Sequence, residues 1–309
     1  MTFGVLRRSA TAIAGCIAGI TLLTACGGGE AGGGSFAERT AFDVAHAAPD
    51  LTRAAGTSRY ALEMTYTSTG DSLGDSTSTS TGEGTYDYAG QIGDGTLTTV
   101  DTMLGTLDEE VVFTNNVLYQ REAGTDRWHK TDFSELVNTP VGQHDPSQQL
   151  DLLRGVSDDV REVGTADVRG DEVTRYAISI DPKRLADQSG VVVDGGLTQA
   201  ALSAAGPMPG QVFVDSDGRV RRLEVRMETA GADLAASPEL QEMLGSNPQV
   251  QEMLANRRTT MDISIEYFDF GAPVTAQVPD PSTVDTGPYL PYMRNLPDMS
   301  GMPGLPGGN

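Results

Sequence analysis

Few side chains in this sequence have the types and spacing that chemistry needs. Ser72 stands beside an aspartate in Gly70-Asp71-Ser72-Leu73, the residue types of an activated serine nucleophile. Such a serine needs a histidine base that the fold brings to it. The tetrapeptide sits instead in a low-complexity Ser/Thr/Gly loop, and the last histidine of the chain is His144. The three histidines, His46, His129 and His144, share no metal-ligand spacing. Asp215-Ser216-Asp217-Gly218 starts like a calcium loop but lacks the third acidic ligand and the glutamate at the twelfth position, so it reads as a tight hairpin turn. The glycines of residues 27–34 precede no phosphate-cradling helix and read as linker. These residues assemble no catalytic constellation, and neither an enzyme, a metal nor a cofactor is expected.

One thiol is different. Arg7 and Arg8 precede an uncharged apolar run from Ala10 to Leu23, shorter than the roughly 20 residues of a bilayer span. The run ends in Leu23-Thr24-Ala25-Cys26, which resembles the lipobox of bacterial lipoproteins. An ordinary signal peptide that happens to contain a cysteine is the alternative. The resemblance implies cleavage before Cys26 and acylation of its thiol. Each buried methylene contributes about 0.8 kcal/mol, so two or three chains moor the protein lastingly to a membrane. Gly27–Gly34 then forms a tether with a root-mean-square reach of about 15 Å. Cys16 would leave with residues 1–25, so the mature chain has a single cysteine and no internal disulfide. The expected location is the extracytoplasmic side of the cell membrane.

Charge narrows the partners. The chain has 21 basic and 43 acidic residues, a net charge of −22, and loss of the signal removes two arginines and no acid. Such a surface repels nucleic acid and anionic headgroups. Membrane attachment must come from Cys26 and not from a basic face.

The rest of the chain supplies mostly strands. Ser35–Ala48 reads as a helix with Phe36, Val44 and Ala47 among its apolar positions. From Arg59 the period becomes two: Tyr60, Leu62, Met64 and Tyr66 alternate with Ala61, Glu63, Thr65 and Thr67. A Ser/Thr/Gly loop or frayed hairpin end follows. Strands are predicted at Thr85–Ala89, Thr96–Met103, Glu110–Thr114, Val117–Glu122 and Arg127–Thr131, with Asn115-Asn116 as a turn. Asp145-Pro146 opens a short helix through Leu150, Leu152 and Leu153. Val160–Val168 and Val173–Ile180 form a hairpin. Gln211–Val214 and the strand of Leu223, Val225 and Met227 flank the Ser216-Asp217-Gly218 turn. Met261, Ile263, Ile265 and Tyr267 share one face of a closing strand. The count is about eleven, almost all antiparallel, in an α+β chain. Trp128 reads either as a ligand platform or as a half-buried strand residue.

Between the last two strands lies a ten-residue tandem repeat, "SPELQEMLGS" then "NPQVQEMLAN". Its Leu240, Met243, Leu244, Val250, Met253 and Leu254 must lie against something apolar. They admit three roles: a plug on the sheet, a lid, or a partner-binding surface like that of STI1-type repeats.

"VRGDEVTRYAISID" (168–181), "GQVFVDSDGRVRRLEV" (210–225) and "IEYFDFGAPVTAQVP" (265–279) resemble local phrases of the LolA/LolB-like half-barrel lipoproteins, closest to the actinobacterial LppX/LprAFG lipid carriers. The resemblance implies a curved antiparallel half-barrel over residues 36–279 with helices on or across its concave face, while composition makes the Gly-rich 26–35 a tether and the aperiodic, Pro/Gly/Met-rich 280–309 a disordered tail. It further implies an apolar cavity for lipid or another long apolar ligand. Its candidate lining is Leu62, Met64, Val111, Phe113, Leu223, Val225, Met227, Ile263 and Ile265, unless these rows simply fill a core. The competing reading is a cargo-free interaction or sensor module on the same fold.

Overall fold

The computed structural model describes residues 39–70, 74–114, 117–132, 145–188, 206–235, 252 and 255–285. The chain divides into two units, Met1–Ser35 and Phe36–Asn309, and every described residue belongs to the second. Helix α1 spans Ala41–Ala54, later than the expected Ser35–Ala48. A capping box sets its start: the Thr40 hydroxyl accepts from the Asp43 amide, and the Asp43 carboxylate accepts from the Thr40 amide. Its buried stripe is Val44, Ala45, Ala48, Pro49 and Thr52, small residues that permit close approach, whereas Ala47 is only partly buried.

Twelve strands form one sheet. The first meander comprises β1 (Thr57–Thr69), β2 (Ser76–Asp87), β3 (Ile92–Asp101), β4 (Gly105–Thr114), β5 (Val117–Glu122) and β6 (Trp128–Asp132). Helix α2 (Pro146–Asp151) and a 3₁₀ turn (Leu152–Gly155) follow. The second meander is β7 (Arg161–Val168), β8 (Asp171–Ile180), β9 (Met208–Val214), β10 (Val220–Ala230) and β11 (Arg258–Phe268), interrupted by α3 (Pro182–Gln188) and α4 (Gly231–Ala235). Strand β12 is Val284–Asp285. The spatial order is β12-β6-β5-β4-β3-β2-β1-β11-β10-β9-β8-β7, so the two meanders run outward from a central β1–β11 pair and the sheet stays open.

Two departures from the sequence reading stand out. The Ser/Thr run expected as a loop or a frayed hairpin end is strand β2, paired on both sides. Its serines face one side and its threonines the other, and cross-strand hydroxyl contacts (Ser80 to Thr99 at 2.8 Å, Thr65 to Thr79 at 3.4 Å) replace apolar packing. Strand β12 falls in the segment expected as tail. It pairs in parallel with Trp128 and His129, and Arg127 forms an ion pair with Asp285 while donating to the Ser282 carbonyl at 2.9 Å. At the opposite edge, β7 carries a bulge between Glu162 and Gly164.

The apolar face of the first meander contains an unusual gap. Gly84 and Gly95 face each other across β2 and β3, and the hydroxyl of Tyr60 lies against both. A methyl group on Gly84 would collide with the Asp94 carbonyl and lie 2.6 Å from the Tyr60 hydroxyl, while one on Gly95 would strike that hydroxyl and lie 2.7 Å from the Glu83 carbonyl. Glycine is therefore required for close approach and not for a special dihedral. Gly84→Ala and Gly95→Ala should each lower the urea-unfolding free energy by about 1–3 kcal/mol, the cost of overpacking. Gly206→Ala, where nothing lies within 4 Å, is the control and should be neutral or slightly stabilising.

Candidate functional site

The strand registers build an apolar floor on one face of the sheet. Leu62, Ile265 and Leu223 stand side by side across β1, β11 and β10, and Met64, Ile263 and Val225 form the next row. Tyr66, Met261 and Met227 form a third. Neighbouring strands lie about 4.8 Å apart and successive same-face residues about 6.6 Å, so the rows make a continuous patch. Seven of the nine residues expected from the sequence thus lie together, none more than 8% exposed.

Val111 and Phe113 share that face and belong to the same buried cluster, but they sit on β4, beyond β2 and β3. The positions in between are glycines: Gly95 pairs with Val111 and Gly93 with Phe113. Tyr60 and Tyr86 lie over this glycine strip. The nine residues are therefore seven plus two, bridged by tyrosine rings. The β4 part is also less apolar, since Glu109 is buried and accepts from Gln120 Nε2 at 3.4 Å.

At one end the floor is roofed by α1 and α2. Val44, Ala45 and Ala48 of α1 and Leu150, Leu152 and Leu153 of α2 and the 3₁₀ turn join the same cluster. A set of buried polar contacts fixes them there. Thr52 Oγ1 accepts from the Val220 amide at 2.8 Å, and the Tyr267 hydroxyl donates to the Pro146 carbonyl at 2.6 Å. Ser58 and Tyr88 share a hydrogen bond of 2.8 Å, and the Tyr86 hydroxyl contacts Asp145 Oδ2 at 3.4 Å. Asp145 caps α2 by accepting from the Ser147 amide at 2.8 Å. Burial pushes Tyr60, Tyr86 and Tyr267 above the ordinary phenol value and Tyr88 to about 12. The sequence reading placed Tyr60 and Tyr267 merely among apolar positions. Their hydroxyl partners come from segments distant in the chain, which periodicity does not reveal.

The other face is polar. Arg169 lies 3.7 Å from the centre of the Phe268 ring and pairs with Glu266 at 2.6 Å. Two grooves on this side, of about 450 and 560 Å³, are lined mainly by Glu63, Asp262 and Arg226, and by Glu83, Thr81 and Thr98. They are on the wrong side of the sheet for the expected lining.

The remaining candidates resolve as follows. Trp128 is half-buried on β6, with the Arg121 guanidinium 4.5 Å from its ring centre. Asp215 Oδ1 accepts from the Asp217 and Arg219 amides at 3.0 and 2.9 Å, so it serves the β9–β10 turn. Among the described residues no group of three or more His, Cys, Asp or Glu side chains could hold a metal ion, and no helix is long and apolar enough to cross a membrane. Cys26, Asp71–Leu73, Asn115-Asn116, His144 and the repeat residues Leu240, Met243, Leu244, Val250, Met253 and Leu254 lie outside the described residues.

No protein-family model and no curated protein matches the chain. Among solved structures it is similar to LprF from Mycobacterium bovis, with a TM-score of 0.42 and 13% identity over 77% of this chain and 96% of that one. It is similar to the lipoprotein LppX of Mycobacterium tuberculosis, with a TM-score of 0.43 and 14% identity over 77% and 98%. A LolA-superfamily protein from Nitrosomonas europaea aligns at a TM-score of 0.27 and 7% identity over 74% and 93%. The LppX-type and LolA-like proteins named from the sequence are thus among the structures found.

Truncating the floor tests its role in stability. Leu223→Ala and Ile265→Ala should each cost about 2–5 kcal/mol, and because the two residues are register neighbours the double variant should cost less than the sum. Tyr267→Phe should cost about 1–3 kcal/mol by stranding the Pro146 carbonyl. Urea titrations of the four variants check all three expectations.

Proposed function

We propose that this chain is an extracytoplasmic lipoprotein, anchored through acylated Cys26, that binds a lipid or another long apolar molecule against the β1–β11–β10 floor. The contiguous floor carries this reading. Its rows repeat over about 20 Å of strand from Tyr60 to Tyr66, and Met64, Met227 and Met261 gather at the end away from the Tyr267 contacts. Methionine adapts to irregular apolar shapes, which suits a surface that exchanges partners. The Met-Leu repeat takes, in this reading, the role of lid expected from the sequence.

The energetics explain why such a protein would exist. Bringing a sixteen-carbon chain from bilayer to water costs on the order of 12 kcal/mol. A dry floor and lid offset most of that cost and make transfer between membrane and carrier nearly neutral. The tether keeps the domain close to the membrane that supplies the chain.

Two measurements test the proposal. Cys26→Ala should move the protein from the detergent phase to the aqueous phase in a cloud-point partition; retention in the detergent phase would mean that something other than the thiol moors it. Native mass spectrometry of this unlipidated variant purified from its own cells should show copurified apolar adducts, and Ile263→Phe, which narrows the floor, should deplete them. Repeated absence of adducts in the parent protein would overturn the carrier role.

A further inference from the structure

We propose that Arg257 and the hydroxyls beside it form a headgroup site at the methionine end of the floor, taking the phosphate or carboxylate of an anionic amphiphile whose chain lies along the rows. The proposal rests on the reading of the floor as a lipid-binding surface and adds to it the class of headgroup.

The strand registers place the site. Beyond the row of Tyr66, Met261 and Met227 comes a row of hydroxyls, in which Thr259 is the register partner of both Ser68 and Thr229. Arg257 immediately precedes β11, and the alternation of that strand sets it on the same face as Thr259 and Met261. Its side chain reaches back along the floor. Nε donates to Ser68 Oγ at 2.9 Å, and Nη2 donates to the Tyr66 hydroxyl at 3.0 Å. Ser68 is 1% exposed, so the guanidinium is tied to a buried wall, while Arg257 itself is only partly buried. The surface thus passes from aliphatic rows through methionines to hydroxyls and then to a full positive charge. An amphiphile has the same order of polarity.

The donors of Arg257 that the protein does not use define the ligand. A guanidinium carries five N–H donors in a planar fork. Nε and Nη2 hold one edge of that fork against neutral hydroxyls. The end formed by Nη1 and Nη2 remains, and such an end pairs bidentately with a phosphate or carboxylate. Among the described residues no carboxylate forms an ion pair with Arg257, whereas on the opposite face Arg169 and Arg222 meet Glu266 and Arg226 meets Asp262. At the roofed end of the floor Arg53 is engaged by Asp151 at 2.8 Å. The chain as a whole carries a net charge of −22 and repels an anion from its outer surface. An anionic head therefore lies at Arg257, with its chain running from Met227 and Met261 toward Leu223 and Ile265.

The test uses the full mature chain carrying Cys26→Ala and stripped of copurified apolar molecules. Fluorescence titrations with cis-parinaric acid and with its uncharged methyl ester are run at about pH 8, where the acid is ionised. Arg257→Gln should weaken binding of the acid by about ten- to a hundredfold, the range for a hydrogen bond to a charged group. The ester should bind this variant as it binds the parent. Arg257→Lys keeps the charge without the fork and should lose several-fold for the acid alone, which also decides the matter if urea melts show that Arg257→Gln does not fold. Arg258→Gln removes the same charge from the neighbouring exposed position on the polar face and should change neither titration. If Arg257 only fastens β11 to β1, its replacement changes both affinities together or neither, and the headgroup site is overturned while the floor stands. The site is overturned as well if inorganic phosphate alone binds the parent as tightly as the acid does, because it then serves a free anion. If neither probe binds the parent, the floor reading falls and the headgroup site falls with it.

Discussion

The pairing of β1 with β11 is the constraint on which the remaining structure depends. It joins Arg59–Thr69 to Arg258–Phe268 in antiparallel register, linking segments about two hundred residues apart in the chain. Each meander could form from local hairpins, but neither alone brings Leu62 and Met64 beside Leu223 and Val225. Only the intervening β11 row, Ile263 and Ile265, makes one floor of two halves. The loop-closure entropy of such a long-range contact must be offset by burial, and the residues at the seam are accordingly among the most completely buried: Leu223, Ile265 and Tyr267 show no exposure.

The two faces of the sheet divide the labour by chemistry. On one, aliphatic and aromatic side chains pack with α1 and α2. On the other, arginines are neutralised by acids from neighbouring strands: Arg226 meets Asp262, and Arg169 and Arg222 both meet Glu266. In a chain with such an acidic excess, these arginines keep like charges from accumulating along the β10–β11 seam. The pairs are partly exposed, so each stabilises only modestly. Their main effect is on register, because a slip of one residue would set Arg222, Glu224 and Arg226 opposite the apolar row of Met261, Ile263, Ile265 and Tyr267.

Much of this was legible in the sequence wherever alternation was strong. In β1, β8, β10 and β11 the inward row reads directly from residues such as Leu62, Ile178, Val225 and Ile263, and the expected lining indeed shares one face. The reading failed where side chains are neutral to the pattern. Strand β2 alternates serine with threonine, so it offers no hydrophobic contrast, and only its partners β1 and β3 make it a strand. The glycine strip under Tyr60 was equally hidden, since Gly84 and Gly95 acquire meaning only when the register sets them opposite each other. Helix α1 began late because Thr40 and Asp43 form a capping box that apolar spacing alone does not weigh. Asp145 was read as a helix cap, but its ring of buried tyrosines depends on three segments meeting.

An open sheet has two borders, and they are protected unequally. The β7 border is made unattractive to another strand by its bulge, by the exposed charges of Arg161 and Glu162, and by the brevity of its regular part. The β6 border is regular and would offer free amides and carbonyls, but the chain lays its own Val284 and Asp285 along it and pins them with Arg127. That short clasp acts as a shield against self-templating. Two residues of borrowed strand thus stand between a regular row of backbone donors and acceptors and its pairing with a second copy of the chain.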